Sequence, residues 1–209
     1  LATVYLTTGF VSSECSYWQE RLNSVLTLIL ANKKVFLEKG NIISTPEINL
    51  KLKNLISKSD GKPIIFKFID YLKKFTNNII LKTISELEAF LEEQTITISE
   101  DEHRSFVNWD EVNGINKPDI SFGSHTVNHP ILTNEQTDIV ENEISKSKEI
   151  IEKKTERDVL HFCYPNGNYN DEIRRVASES YKSACTTRSG FVSKNSDILS
   201  LNRIGINEE

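Results

Sequence analysis

Strand-like and helix-like patterns alternate through the C-terminal half of the chain, and this alternation constrains the fold more than any other feature. Residues 119–122 alternate polar and apolar side chains as a short strand does, with Gly123 and Ser124 expected to break it. Residues 159–164 and 182–186 have the composition of two further strands.

Helical patterns separate these strands. Thr133 and Gln136 have the spacing of a capping box, and apolar residues continue at helical spacing as far as Lys154. Asn170 is placed to cap the next helix. A strand, helix, strand, helix order predicts an α/β fold with parallel strands, whose functional groups gather at the carboxyl ends of the strands.

The segment between residues 16 and 93 has a different pattern, because apolar residues recur at helical spacing throughout. Ser16 is expected to cap the first helix, and Pro46 is suited to the first turn of another. Residues 95–98 alternate like an edge strand. We therefore expect one domain, residues 1–209, with a largely helical insertion at about 14–104 that forms a lid or packing layer.

The residues that follow the predicted strand 119–122 include a candidate metal site. His125 and His129 are four residues apart, and neutral imidazoles that share a face can bind one Zn²⁺ at about 2.0–2.1 Å. Pro130 favours an extended conformation at His129. The spacing by itself is also consistent with two unrelated surface or core histidines.

The surrounding residues add a resemblance to a known family. The run SHTVNHP at 124–130 resembles the second motif of the polysaccharide deacetylase family, also known as NodB-homology domains or carbohydrate esterase family four. Residues 2–10 resemble that family's second strand. Further similarity lies in WDEV at 109–112, FCYPNG at 162–167 and RIGI at 203–206.

The resemblance implies an incomplete (β/α) barrel and metal-assisted removal of acetyl groups from N-acetylated sugars of a carbohydrate substrate. By this similarity His125 and His129 would hold a Zn²⁺ or similar divalent ion, and Thr126 would help to seat the acetate. The backbone N–H of Asn166 would donate to the oxyanion of the tetrahedral intermediate.

The chain departs from the family pattern at several positions. Cys163 stands where many members have an arginine, and Arg203 stands where the last motif has a histidine. The family's Asp-Asp pair, which supplies a metal ligand and the base, would precede residue 1, so we expect the chain to be a fragment with incomplete activity. The candidates for a third ligand are weak: Asp110, Asp119 and Asp171.

Composition narrows the class of partner. A net charge of −5 argues against nucleic acid or an anionic membrane surface, and no apolar run is long enough to span a membrane. The three cysteines show no paired spacing, so free thiols are expected at Cys163 and Cys185. The cysteine pattern does not determine the cellular compartment of the protein. His161 is expected to be a packed or hydrogen-bonded histidine within its strand.

Two other functions remain open from the sequence. A related metal-dependent enzyme could hydrolyse a non-sugar amide or imide. A non-catalytic member of the fold could bind glycans or a partner protein, and an exposed sheet edge would favour self-association.

Overall fold

The computed structural model describes residues 2–58, 61–97 and 106–205. The chain divides into two compact units, one formed by Leu1–Glu14 with Ser105–Glu209 and the other by Cys15–Arg104. We refer to them as the sheet unit and the helical unit. Within the described ranges, no helix is both long enough and apolar enough to cross a bilayer.

The sheet unit is built on parallel strands. In the described residues the sheet has five strands in the order β1-β2-β3-β4-β5, and every neighbouring pair is parallel. The strands are β1 (Ala2–Leu6), β2 (Ile120–Ser124), β3 (His161–Cys163), β4 (Ser183–Ser189) and β5 (Leu201–Arg203). This confirms the α/β prediction with parallel strands.

The helices of the sheet unit connect these strands. They are α6 (Trp109–Gly114), α7 (Thr137–Thr155) and α8 (Asp171–Ser180), numbered after the five helices of the helical unit. Asn170 caps α8 as expected, since its side chain accepts the Ile173 N–H at 2.9 Å. Because β2 and β3 are parallel neighbours, their carboxyl ends lie at the same edge of the sheet.

The two faces of the sheet differ because side chains alternate along each strand. One face is apolar: Phe122 of β2, Phe162 of β3 and Ala184 of β4 pack in a buried cluster with Ile144 of α7 and Val176 of α8. The residues between them in the strands therefore point to the opposite face. Burial of the apolar face is the main stabilising term for the sheet unit.

The helical unit consists of α1 (Trp18–Ala31), α2 (Lys33–Glu38), α3 (Pro46–Lys58), α4 (Lys62–Leu72) and α5 (Asn77–Glu93). Each helix contributes an apolar stripe to one core, which includes Leu26, Phe36, Leu52, Phe68 and Leu87. The periodicity that predicted helices in this segment is the periodicity of that core.

Four predictions about the extent and ends of helices and strands were wrong. Residues 95–97 are not a strand; Ile98 lies outside the described residues. The N–H groups of Thr95 and Ile96 donate to the carbonyls of Glu92 and Leu91, and Thr95 has a φ of 56°, so this segment is the C-terminal Schellman motif of α5.

The other three concern boundaries. Tyr17 and not Ser16 is the N-cap residue of α1, and α7 begins after Gln136 while Thr133 lies in a separate 3-10 turn. Gly123 and Ser124 do not break β2 but complete it, because their backbones pair with Tyr5 and Leu6.

Candidate functional site

The loop after β2 carries both histidines and is tied to the end of β1. The His125 N–H donates to the Leu6 carbonyl at 2.9 Å, and the Thr8 N–H donates to the Thr126 carbonyl at 3.1 Å. The Gly9 N–H donates to the Val127 carbonyl at 2.8 Å, and a Cβ on Gly9 would lie 2.7 Å from that same oxygen. The absence of a side chain at Gly9 therefore lets the two segments approach.

The loop is not a helical turn, and His129 is not extended. Thr126 and His129 have φ values of 68° and 55°, both in the left-handed region. The buried Thr126 hydroxyl donates to the His125 carbonyl at 2.5 Å and accepts the His129 N–H at 3.0 Å. These contacts outweigh the extended preference that Pro130 imposes on its predecessor.

A carboxylate from α7 anchors the same loop. Glu143 is 4% exposed, and one of its oxygens accepts the N–H groups of Val127 at 2.8 Å and Asn128 at 2.9 Å. Its other oxygen accepts the Asn128 side-chain N–H at 2.7 Å. Sequence analysis missed this residue, although a charged side chain on the apolar stripe beside Val140 and Ile144 was a usable signal.

The loop brings the two imidazoles together. Their ring centroids are 4.7 Å apart, with the ring planes at 74°. The His125 Nδ1–H donates to the Cys163 carbonyl at 2.6 Å. Because a carbonyl can only accept, this contact puts the proton on Nδ1 and leaves the lone pair on Nε2, which is how metal-binding histidines are commonly oriented.

Both imidazoles favour the neutral form. Burial lowers the pKa of His125, and the nearby Arg203 adds to the effect, while the hydrogen bond to the Cys163 carbonyl opposes it. Burial and the neighbouring His125 lower the pKa of His129 to about 4. A neutral imidazole is the form that binds a metal ion, so the protonation state and the His125 tautomer both fit a divalent cation.

A third metal ligand is not found in the described part of the chain, where no group of three or more His, Cys, Asp or Glu side chains could hold an ion. Asp119 precedes β2 whereas His125 follows it, so the two lie at opposite ends of the strand. Asp110 is in the first turn of α6, and the Asp171 side chain is 98% exposed. The two histidines therefore fit a metal as a half-site.

The turn that follows β3 has an unusual backbone. Asn166 and Gly167 have φ values of 55° and 75°, and a Cβ on Gly167 would lie 2.1 Å from the Thr187 hydroxyl oxygen. Asn166 is exposed at the same end of β3 from which the Cys163 carbonyl holds His125. The structure thus places the turn on the histidine side of the sheet, while the role of the Asn166 N–H remains a prediction.

Two other residues from the sequence analysis have partners within the sheet. The His161 Nδ1 and the Ser183 hydroxyl are hydrogen-bonded at 2.8 Å, as expected for a histidine inside a strand. Arg203 donates to the Cys163 sulfur at 3.6 Å. Cys163 and Cys185 are both free thiols, Cys163 buried and Cys185 partly exposed.

Fold and site together define a parallel α/β domain with a two-histidine site at the carboxyl ends of its strands. The family model for polysaccharide deacetylases matches residues 62–181, which is more than half of the chain. The chain therefore belongs to the polysaccharide deacetylase family. No curated protein matches it.

Solved structures of the family share part of the chain. A Streptococcus pyogenes deacetylase, PplD, in complex with acetate is 32% identical over 51% of this chain and 48% of its own, with a TM-score of 0.48. A Bacillus cereus polysaccharide deacetylase, BC0361, is 26% identical over 49% of this chain and 33% of its own, with a TM-score of 0.45.

A third structure, BA3943 from Bacillus anthracis, is described as a CE4 family pseudoenzyme. It is 22% identical over 36% of this chain and 27% of its own, with a TM-score of 0.35. The chain thus spans about half or less of the length of these proteins. Since the three TM-scores lie below 0.5, family membership rests on the family model.

Proposed function

We propose that this chain is part of a metal-dependent hydrolase that removes acetyl groups from N-acetylated sugars, with His125 and His129 as two of the metal ligands. The observation that carries the proposal is the orientation of His125 by the Cys163 carbonyl, next to a second imidazole at 4.7 Å. His125 and His129 would hold the divalent ion, which would supply a bound water of lowered pKa and a Lewis acid for the substrate carbonyl.

The chain's own residues have separate roles in this proposal. Glu143 fixes the loop through its contacts with Val127 and Asn128, and so holds His129 near His125. Thr126 stabilises the turn between the histidines, and its predicted contact with acetate remains part of the proposal. The Asn166 backbone N–H is proposed as the oxyanion donor, a contribution of about 2.7–4 kcal/mol to the barrier.

The first test measures metal binding directly. The full chain is titrated with Zn²⁺ by calorimetry and with Co²⁺ by visible absorbance, whose intensity reports the coordination geometry. We expect binding that is lost in His125→Ala and in His129→Ala. The matched control is His161→Ala, since that imidazole is hydrogen-bonded to Ser183 within the sheet and should not affect binding. Unchanged binding in His125→Ala would overturn the proposal.

The second test measures acetate release from N-acetylglucosamine oligomers in the presence of Zn²⁺. Because the described residues bring together only two metal ligands, activity is expected to be low but above that of His125→Ala. Metal binding without acetate release would contradict the hydrolase and favour a second function, a non-catalytic glycan-binding member of the fold. One observation already favours that alternative: the described residues bring only two metal ligands together. Metal-independent binding of the same oligomers would support it.

A further inference from the structure

Two thiols lie side by side on the sheet face that points away from α7 and α8. Cys163 of β3 and Cys185 of β4 are register partners in parallel strands. Neighbouring strands are about 4.7–4.9 Å apart, and register partners project to the same face. Phe162 and Ala184, the residues before them, point into the apolar core, which fixes the direction of both thiols.

Polar groups from the two outer strands reach this thiol pair. The Tyr5 hydroxyl is hydrogen-bonded to the Cys185 sulfur at 3.4 Å, and Arg203 donates to the Cys163 sulfur at 3.6 Å. Tyr5 can cross β2 because Gly123 has no side chain; a Cβ there would lie 2.5 Å from the tyrosine ring. Both cysteines also raise the pKa of Tyr5, after burial, so both thiols lie near its hydroxyl.

This arrangement has the chemistry of a binding site for a soft cation. Thiolates are the ligands that soft ions prefer, and two of them on adjacent strands can bind one ion. Two thiolates around a monovalent ion such as Cu⁺ have a net charge of −1, which the Arg203 guanidinium beside Cys163 offsets. Around a divalent ion the two thiolates leave no net charge. The Tyr5 hydroxyl supplies a nearby oxygen.

We propose that Cys163 and Cys185 form a dithiol site for a soft, thiophilic cation of the Cd²⁺ or Cu⁺ type, beside the Tyr5 hydroxyl and the Arg203 guanidinium. On binding, two S–H bonds break, two metal–sulfur bonds form and two protons leave to solvent, without any change of oxidation state. The partly exposed Cys185 and the exposed Arg203 give the ion a path to the sulfurs. The site uses ligands other than the two imidazoles, although Cys163 also supplies the carbonyl that orients His125, and it does not depend on the proposed deacetylase activity.

In the free site the Cys163 thiol is protonated. Burial raises the pKa of Cys163 to about 11, and the nearby Arg203 only partly offsets this. Metal coordination deprotonates a thiol directly, so a high pKa of the free thiol weakens binding at low pH without preventing it.

Cadmium is the probe, because its charge-transfer absorbance in the ultraviolet arises only with thiolate ligands. The full chain in reduced form is titrated with Cd²⁺, and we expect the absorbance to saturate at one ion per chain. Cys163→Ser and Cys185→Ser should each abolish saturable absorbance. Cys15→Ser is the matched control, since Cys15 is exposed and outside the pair, and should leave it unchanged.

A second measurement needs no substitution in the sheet. Phenylarsine oxide reacts with two close thiols to give a cyclic dithioarsenite and water, and a single thiol cannot form that ring. Intact mass spectrometry of Cys15→Ser should show one adduct that survives excess monothiol and is removed by dithiothreitol. Absence of this adduct would overturn the proposal, as would cadmium–thiolate absorbance that persists in folded Cys163→Ser or is lost in Cys15→Ser.

Discussion

The interior of the helical unit is apolar, whereas the interior of the sheet unit contains many buried polar groups. In the helical unit two buried polar side chains form local contacts: Asn49 accepts the N–H groups of Ile42 and Ile43, and Thr83 donates to the Ile79 carbonyl. In the sheet unit the buried polar side chains are more numerous, and they include Ser124, Thr126, Glu143, Ser147 and Thr186.

The difference in buried polar groups indicates that the two units have different roles. A buried polar group costs free energy unless it is hydrogen-bonded, so a fold that only needs stability has little reason to bury many. In the sheet unit several of these groups converge on one loop, since Thr126 and Glu143 both bind the backbone that carries the histidines. Both units have an apolar core, and the sheet unit in addition gathers buried polar groups at the strand ends, where the proposed chemistry would take place.

The largest effect on stability should come from the apolar interior. Phe68 is fully buried in the helical unit, and Phe68→Ala leaves a cavity that should cost about 3–5 kcal/mol of unfolding free energy. Urea denaturation measures this cost. Zinc binding by the fraction that stays folded should be unchanged, and a loss of zinc affinity in that fraction would break the division between the two units.

Glu143→Ala should damage both stability and the site. The substitution removes the acceptor of three N–H groups and should cost about 2–4 kcal/mol, because buried donors are left unsatisfied. Since the loop positions His129, zinc affinity should fall about 10–100-fold. Calorimetry checks the affinity, with the exposed Glu141→Ala on the same helix as control. Equal affinities in the two variants would contradict the anchoring role.

Gly123→Ala tests the sheet face opposite the apolar core, where Tyr5 lies over Gly123. The new Cβ would lie 2.5 Å from the Tyr5 ring and 3.0 Å from the His161 carbonyl, so we expect a cost of about 1–3 kcal/mol from overpacking. Displacement of Tyr5 should also weaken the Cd²⁺ absorbance of the thiol pair. Gly114→Ala is the control, because a Cβ there has no atom within 4 Å. Similar unfolding midpoints for both variants would show that Tyr5 can move aside freely.

The smallest effect on stability should be a pH-dependent one at Asp197, near the C-terminal end of the sheet unit. The Leu199 N–H, Arg174 and Ser200 lower the pKa of Asp197. A carboxyl group whose pKa is lowered on folding stabilises the folded state above its unfolded pKa of about 3.9, and this contribution disappears as pH falls through the folded pKa. Asp197→Asn should therefore be less stable than the natural chain at pH 7 but equal to it in strong acid. A difference that persists in acid would rule out this ionisation as its cause.

Elements with strong periodicity could be predicted from sequence, whereas boundaries could not. The helices of residues 16–93 follow from apolar stripes, and Asn170 has the expected capping bond. Tyr17 replaced Ser16 as N-cap because a cap depends on where the helix docks and not only on side-chain preference. Thr95 has a left-handed backbone conformation at the end of α5, and its β-branched side chain gave no sign of this because such side chains disfavour that conformation.

The candidate site could also be predicted only in part from the sequence. The spacing of His125 and His129 and the turn at Asn166 were visible in sequence, but the partners that orient them come from distant segments. Glu143 lies 14 residues beyond His129 in the sequence, and the acceptor for His125 is a backbone carbonyl 38 residues away. Contacts with a backbone atom leave no residue-type signal, so sequence reasoning could not find the Cys163 carbonyl.

The double use of Cys163 has a consequence for how this site can change over generations. Its carbonyl holds His125, while its side chain faces Arg203 and Cys185 on the other strands. Because every amino acid carries the same carbonyl, the histidine keeps its orienting partner whichever side chain occupies position 163. The side chain at position 163 can therefore change while the acceptor that orients His125 stays in place.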